Sequence, residues 1–95
     1  MKRDLSGKVP LVTGGSRGIG AAVARMLADA GADVAISYMS NVDKARDLVR
    51  LLEGRGVRAV AFQADQASAD EVTRLVRRVA GEFGRLDILV NNGGV

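Results

Sequence analysis

Four short apolar runs alternate with three amphipathic segments, and this alternation is the strongest constraint the chain carries. Val9 to Thr13, Val34 to Tyr38, Val57 to Phe62 and Leu86 to Val90 are rich in aliphatic and β-branched residues and lie between turn-forming stretches. Such runs read as strands buried on both faces. Between the first two, Ile19, Val23 and Leu27 recur every four residues, with Met26 and Ala30 beside them. They predict one face of a helix that stops at Gly31. Asn41 or Asp43 caps the second helix, whose inner face is Ala45, Leu48, Leu51 and Leu52, and Gly54-Arg55-Gly56 ends it. The third opens on Ser68-Ala69-Asp70-Glu71, a capping box in which Ser68 bonds the Glu71 amide and Glu71 reaches back. Its stripe is Val72, Leu75, Val76, Val79 and Phe83, and Gly84 closes it. Arg74, Arg77 and Arg78 lie on the other face and read as solvated surface.

The resulting order, β-α-β-α-β-α-β, predicts an α/β fold with a parallel sheet covered on both faces. Right-handed crossovers make it a Rossmann-type doubly wound sheet of four strands in the order 3-2-1-4. Ninety-five residues hold one domain. A hydrophobic share of 47% against 26% charged residues excludes intrinsic disorder.

Several function classes fall away on counts. There is no Cys and no His, hence no disulfide, no thiolate nucleophile and no Cys- or His-based metal site. The formal charge of +3 is spread along the chain, and aromatics are 3% of residues, so nucleic acid is not an expected partner. The first residues have no apolar run of the signal-peptide kind, and no stretch approaches the ~20 apolar residues of a membrane span. A soluble, cytoplasmic protein without membrane partners is the expectation.

The chemistry lies at the first strand-to-helix turn, Thr13-Gly14-Gly15-Ser16-Arg17-Gly18-Ile19-Gly20. Gly14 can adopt backbone angles closed to other residues. Gly18 lets the backbone approach a ligand, and Gly20 lets the helix pack against the strand. The helix start then offers free N–H groups and a positive dipole end to a pyrophosphate. No Gly-Lys-Ser/Thr follows, which excludes a Walker loop.

Thr-Gly-x-x-x-Gly-x-Gly, the later Asp65 and the final Asn-Asn-x-Gly resemble the short-chain dehydrogenase/reductase family, of the classical type. The likeness runs from Leu5 to Val95, and Lys8 to Gly20 is very similar to the start of 3-oxoacyl-acyl-carrier-protein reductases. The resemblance implies a nicotinamide dinucleotide as partner and hydride transfer as the family's reaction. It assigns the turn residues Gly14, Ser16, Arg17, Gly18, Ile19 and Gly20 to cofactor binding. Tyr38 falls where family members that use NAD carry an acidic residue against the adenosine ribose. With no carboxylate there, with Ser40 and Asn41 following, and with Arg17 able to clamp a phosphate, NADP(H) is expected over NAD(H). Asp65, followed by Gln66, matches the position that bonds the adenine ring. Asn91 matches the Asn near the cofactor ribose, and Gly93 replaces the family's usual Ala.

Pro10 is a second departure. A proline cannot donate to a ladder, so it costs stability unless its nitrogen falls where no ladder bond is made. The family's catalytic Ser, Tyr and Lys have no counterpart in these residues, and the successor four places after Tyr38 is Val42. Residues 1–95 therefore read as the N-terminal dinucleotide-binding part of the family domain, with the catalytic part absent. Two other roles fit the same pattern: a nucleotide-binding module without turnover, and a structural half-fold pairing through an open sheet edge. For the latter, an uncovered Leu86 to Val90 predicts self-association.

Overall fold

The computed structural model describes residues 4–16 and 18–92. Four strands, β1 (Pro10–Thr13), β2 (Val34–Tyr38), β3 (Ala59–Gln63) and β4 (Ile88–Asn91), alternate with α1 (Gly18–Asp29), α2 (Val42–Glu53) and α3 (Ala69–Phe83). The sheet is parallel throughout and runs β3-β2-β1-β4, the expected doubly wound order. Strands β3 and β4 begin two residues later than their apolar runs suggest. Before β3, Val34 N bonds Arg58 O, and before β4, Asp87 N bonds Val9 O.

The two faces of the sheet carry separate cores. Val12, Val34 and Ile36 pack with Ala21, Ala24 and Ala28 of α1 and with Ala45, Leu48 and Leu52 of α2. Leu11, Ala35 and Phe62 pack with Leu75 and Val79 of α3 on the other face. Alternation along a strand sends successive residues to opposite faces, and both faces are dry over β1 and β2, which is why those two read as unbroken apolar runs.

Helix α1 corrects the sequence expectation. Ile19 and Met26 are 75% and 70% exposed, whereas the buried face is Gly20, Ala21, Ala24 and Ala28. Small residues let the helix axis lie close to β1 and β2, and the larger side chains point outward or flank the contact, as Val23 and Leu27 do. In α2, Leu51 is likewise exposed while Ala45, Leu48 and Leu52 are buried. Asn41, not Asp43, is the N-cap, with its Oδ1 accepting from Lys44 N at 3.1 Å.

The capping box of α3 forms by half. Glu71 N donates to Ser68 Oγ at 3.3 Å, but Glu71 Oε1 accepts from Asp65 N at 2.9 Å and not from the Ser68 amide. The Ser68 amide instead donates to Asp65 O. Gly84 ends α3 in the left-handed region, with φ of 81°, and returns its N–H to Ala80 O.

Pro10 escapes most of its cost by position. It is the first residue of β1, and pairing with β2 starts one residue later at Leu11. Pro10 keeps its register with β4 opposite Ile88. The β1–β4 entry is held by Asp87, whose Oδ2 accepts from Val9 N at 2.8 Å and from Arg85 Nε at 2.8 Å. The Arg85 guanidinium first, and the Val9 amide second, hold the Asp87 carboxyl below the ordinary carboxylate range.

Among the described residues no helix is long and apolar enough to cross a membrane.

Candidate functional site

All four strands run in one direction, so their carboxyl ends share one edge. The chain leaves β1 toward β2 on one side and reaches β4 on the other, and a crevice opens where the two directions part. A cleft of about 560 Å³ lies there. Gly14, Ser16, Gly18 and Ile19 line it from the turn after β1. Ser37 to Asn41 line it from the end of β2, Ala64 and Gln66 from the segment after β3, and Asn92 from the end of β4.

The turn is built by steric exclusion. Gly14 has φ of 63°, and a Cβ on Gly20 would stand 2.5 Å from Gly14 O and 2.7 Å from Asn92 Nδ2. No side chain fits at position 20, so α1 starts directly against the turn. The first turn of α1 holds no acidic residue, in contrast to α2 with Asp43. The positive end of the α1 dipole is thus left uncompensated by its own helix beside the cleft.

Hydrogen bonds tie the turn to both neighbouring strands. On the β2 side, Gly14 N donates to Ser37 Oγ at 3.1 Å and Gly15 N to Ser37 O at 3.0 Å. On the β4 side, Asn92 Nδ2 donates to Gly14 O at 3.2 Å, and Asn92 N to Thr13 Oγ1 at 3.1 Å. At the far wall, Gln63 Nε2 donates to Met39 O at 3.0 Å and joins the ends of β2 and β3.

Of the residues the sequence singled out, Gly14, Ser16, Gly18, Ile19, Tyr38, Ser40, Asn41 and Gln66 come together around the cleft. Gly20 packs beneath it. Asp65 does not line it: its Oδ1 accepts from Ala67 N at 2.9 Å and closes a local turn. Asn91 is also outside the lining, with Oδ1 accepting from Thr13 Oγ1 at 3.1 Å within the sheet. Arg17 and Gly93 lie outside the described residues.

Four lining residues, Ser37, Met39, Ala64 and Asn92, lie outside the set the sequence singles out, and two of them bond the turn. The family pattern points to Asn91, but the side chain that reaches Gly14 is that of its neighbour Asn92. Ser37, 1% exposed, carried a usable signal: a polar residue at the buried end of an apolar strand needs a hydrogen-bond partner.

The residues fit a dinucleotide on three structural counts. The glycine cradle leaves no room for a side chain at Gly20, the first turn of the helix beside it holds no acidic residue, and Gln66 Oε1 is buried with no hydrogen-bond partner among the described residues. A buried acceptor of this kind lacks a donor that a ligand could bring. No charged side chain lines the described cleft.

Comparison with known proteins agrees with this geometry. The short chain dehydrogenase family model matches residues 8–95. The 3-oxoacyl-[acyl-carrier-protein] reductase FabG of Staphylococcus aureus strain Mu50 is 46% identical over 88 residues, 93% of this chain and 36% of that reductase. A short chain dehydrogenase from Burkholderia cenocepacia J2315, solved in complex with NADP, superimposes with a TM-score of 0.93 at 55% identity. That match covers 97% of this chain and 38% of the other. A blue fluorescent protein from a metagenomic library, solved in complex with NADPH, gives a TM-score of 0.92 at 49% identity, over 97% of this chain and 38% of that one. The chain thus spans little more than a third of the length of these relatives.

Proposed function

The chain belongs to the short-chain dehydrogenase family, and we propose that its role there is to bind the nicotinamide dinucleotide, NADP(H) in preference to NAD(H). The bound nicotinamide would supply or accept the hydride in the oxidoreductase reaction of the whole protein, between a carbonyl and an alcohol. The residues of this chain do the holding. The turn from Gly14 to Gly20 and the start of α1 receive the pyrophosphate, and the segment from Tyr38 to Asn41 meets the adenosine ribose. Gln66 Oε1 accepts a hydrogen bond from the adenosine half. Asp65 and Asn91 support the loop after β3 and the end of β4.

The single observation that carries the preference is the wall at the end of β2. Tyr38, Met39, Ser40 and Asn41 line the cleft, and none is a carboxylate. Nothing there repels a 2′-phosphate or bonds both ribose hydroxyls as an acidic residue does. Asn41 Oδ1 is occupied by the Lys44 amide, which leaves its Nδ2 as a donor toward an anion. Arg17 adds a guanidinium in the same turn.

Calorimetric titration tests this. NADP⁺ is expected to bind more tightly than NAD⁺, and Tyr38→Asp is expected to reverse the order. Tighter binding of NAD⁺ by the unsubstituted chain overturns the preference. With no proton donor assigned in this cleft, binding without turnover of a carbonyl substrate is the expected behaviour of the chain by itself.

A second role is favoured by one observation. Leu89, in the middle of β4, is 51% exposed. An apolar side chain on a strand that, among the described residues, pairs with β1 alone suits pairing between copies through that edge.

A further inference from the structure

Ser37 holds both opening amides of the glycine turn, one through its side chain and one through its backbone. Its hydroxyl oxygen accepts from Gly14 N at 3.1 Å, and its carbonyl accepts from Gly15 N at 3.0 Å. The residue is 1% exposed, yet it lines the cleft. Its neighbour Ile36 faces the opposite side of the sheet, and a Cβ on Gly15 would stand 2.9 Å from Ile36 Cγ2. The turn therefore crosses the end of β2, with Gly14 bonded to Ser37 and Gly15 seated on Ile36.

We infer that Ser37 is a positioning residue for the cofactor's pyrophosphate, acting through Gly14. This rests on the cofactor reading given above. Two consequences follow from the bonds. The amides of Gly14 and Gly15 are spent inside the protein, so donors to a phosphate come from further along the turn and from the start of α1. The aim of those donors depends on where the Gly14 peptide is pinned. Asn92 pins its carbonyl from β4, and Ser37 pins its amide from β2. Of these, the Ser37 hydroxyl is the contact that one small substitution removes without touching the sheet ladder, since the ladder uses only its backbone.

The position on β2 makes the inference specific. Ser37 immediately precedes Tyr38, where the ribose wall begins, but its hydroxyl is directed to the turn. Its loss acts on the pyrophosphate, which NADP⁺ and NAD⁺ share, and not on the 2′ position that distinguishes them. Ser40 and Asn41 carry the opposite signature, a change in the ratio of the two affinities.

The test combines amide exchange with binding in Ser37→Ala and Ser37→Thr. In Ser37→Ala, NMR-detected exchange of the Gly14 amide is expected to accelerate by about tenfold or more, the size of one lost buried hydrogen bond. Gly15, bonded to the Ser37 backbone carbonyl, is expected to keep its protection and serves as the internal control. Calorimetry is expected to show weaker binding of NADP⁺ and of NAD⁺ by the same factor, again about tenfold. Ser37→Thr, which retains the hydroxyl and suits a strand, is expected to restore both readouts.

Unchanged affinity in Ser37→Ala overturns the inference, as does a loss confined to one cofactor. Parallel loss of protection at Gly14 and Gly15 also overturns it, because that marks general loosening of the turn. If the unsubstituted chain binds neither cofactor, the cofactor reading fails and the positioning role falls with it. If it binds both and Ser37→Ala binds equally well, the positioning role alone fails.

Discussion

The two outer strands of the sheet are built to different standards. Strand β3 has Ala59 and Phe62 each 5% exposed, with α2 against one face and α3 against the other. Arg58 closes its entry by pairing with Glu82 and lying over the Phe83 ring, 4.6 Å from the centroid. Strand β4 has no residue in the buried class, and Leu89 faces outward at 51% exposure. Both are single-partner strands in the described sheet, so the contrast is not in the ladder. It lies in whether helices cover the faces. Pairing with β1, the Asp87 contact at its entry and the partly buried Val90 place β4, whereas β3 is placed by pairing and by fuller burial.

The largest expected effect comes from removing the burial at β3. Phe62→Ala deletes a ring that packs with Leu75 and Val79 and is expected to cost about 3–5 kcal/mol in urea unfolding. A cost below about 1 kcal/mol would mean that β3 is held by pairing alone, and the contrast between the strands would disappear.

An intermediate effect is expected at the entry to β4, where a polar contact does the work that burial does at β3. Asp87 has its pKa lowered by Arg85 and by the Val9 amide. A carboxylate held below its ordinary range stabilises the fold above its unfolded-state pKa, and that contribution is lost as pH falls through the folded-state value. Stability of the unsubstituted chain should therefore drop on acidification through and below the ordinary carboxylate range. In Asp87→Asn this part of the pH dependence should be missing. Thermal unfolding across pH checks it, and identical profiles would show that Asp87 contributes nothing to joining β4.

The smallest expected change in stability is at Leu89. Leu89→Lys is expected to leave unfolding within about 0.5 kcal/mol, as surface substitutions do. If copies pair through β4, the same charge should abolish concentration-dependent association in sedimentation runs. Association that survives the substitution would place the contact elsewhere.

The sheet order and most of its core were legible because dry strands and amphipathic helices leave different periods in the sequence. The face of α1 was not. Large aliphatics dominate any hydrophobic pattern, but a helix lying close to a sheet buries Ala21, Ala24 and Ala28 and turns Ile19 and Met26 out. The glycine turn was legible because its spacing follows from steric exclusion, which the Gly20 contacts express directly. The polar wiring was read less well. The capping-box spacing assigns Glu71 to the Ser68 amide and the family resemblance assigns Asp65 to the adenine ring, yet Glu71 caps the Asp65 amide and Asp65 closes its own turn. Which of two adjacent asparagines reaches Gly14 depends on where β4 ends, and strand ends are set by pairing partners distant in sequence.

The bonds that join β1 and its turn to β4 have a temporal consequence. Val9 to Asp87 and Gly14 to Asn92 are each 78 residues apart, so these contacts span most of the chain. Contacts of this range carry a loop-closure cost, and non-local parallel pairing is intrinsically slow. During synthesis, β1, α1 and β2 leave the ribosome first, with one flank of β1 unpaired until β4 arrives. The glycine turn can settle against Ser37 early, but its second anchor, Asn92, arrives last. Cofactor captured during synthesis would therefore meet a turn fixed on one side only, and full affinity would be the final property this part of the molecule acquires.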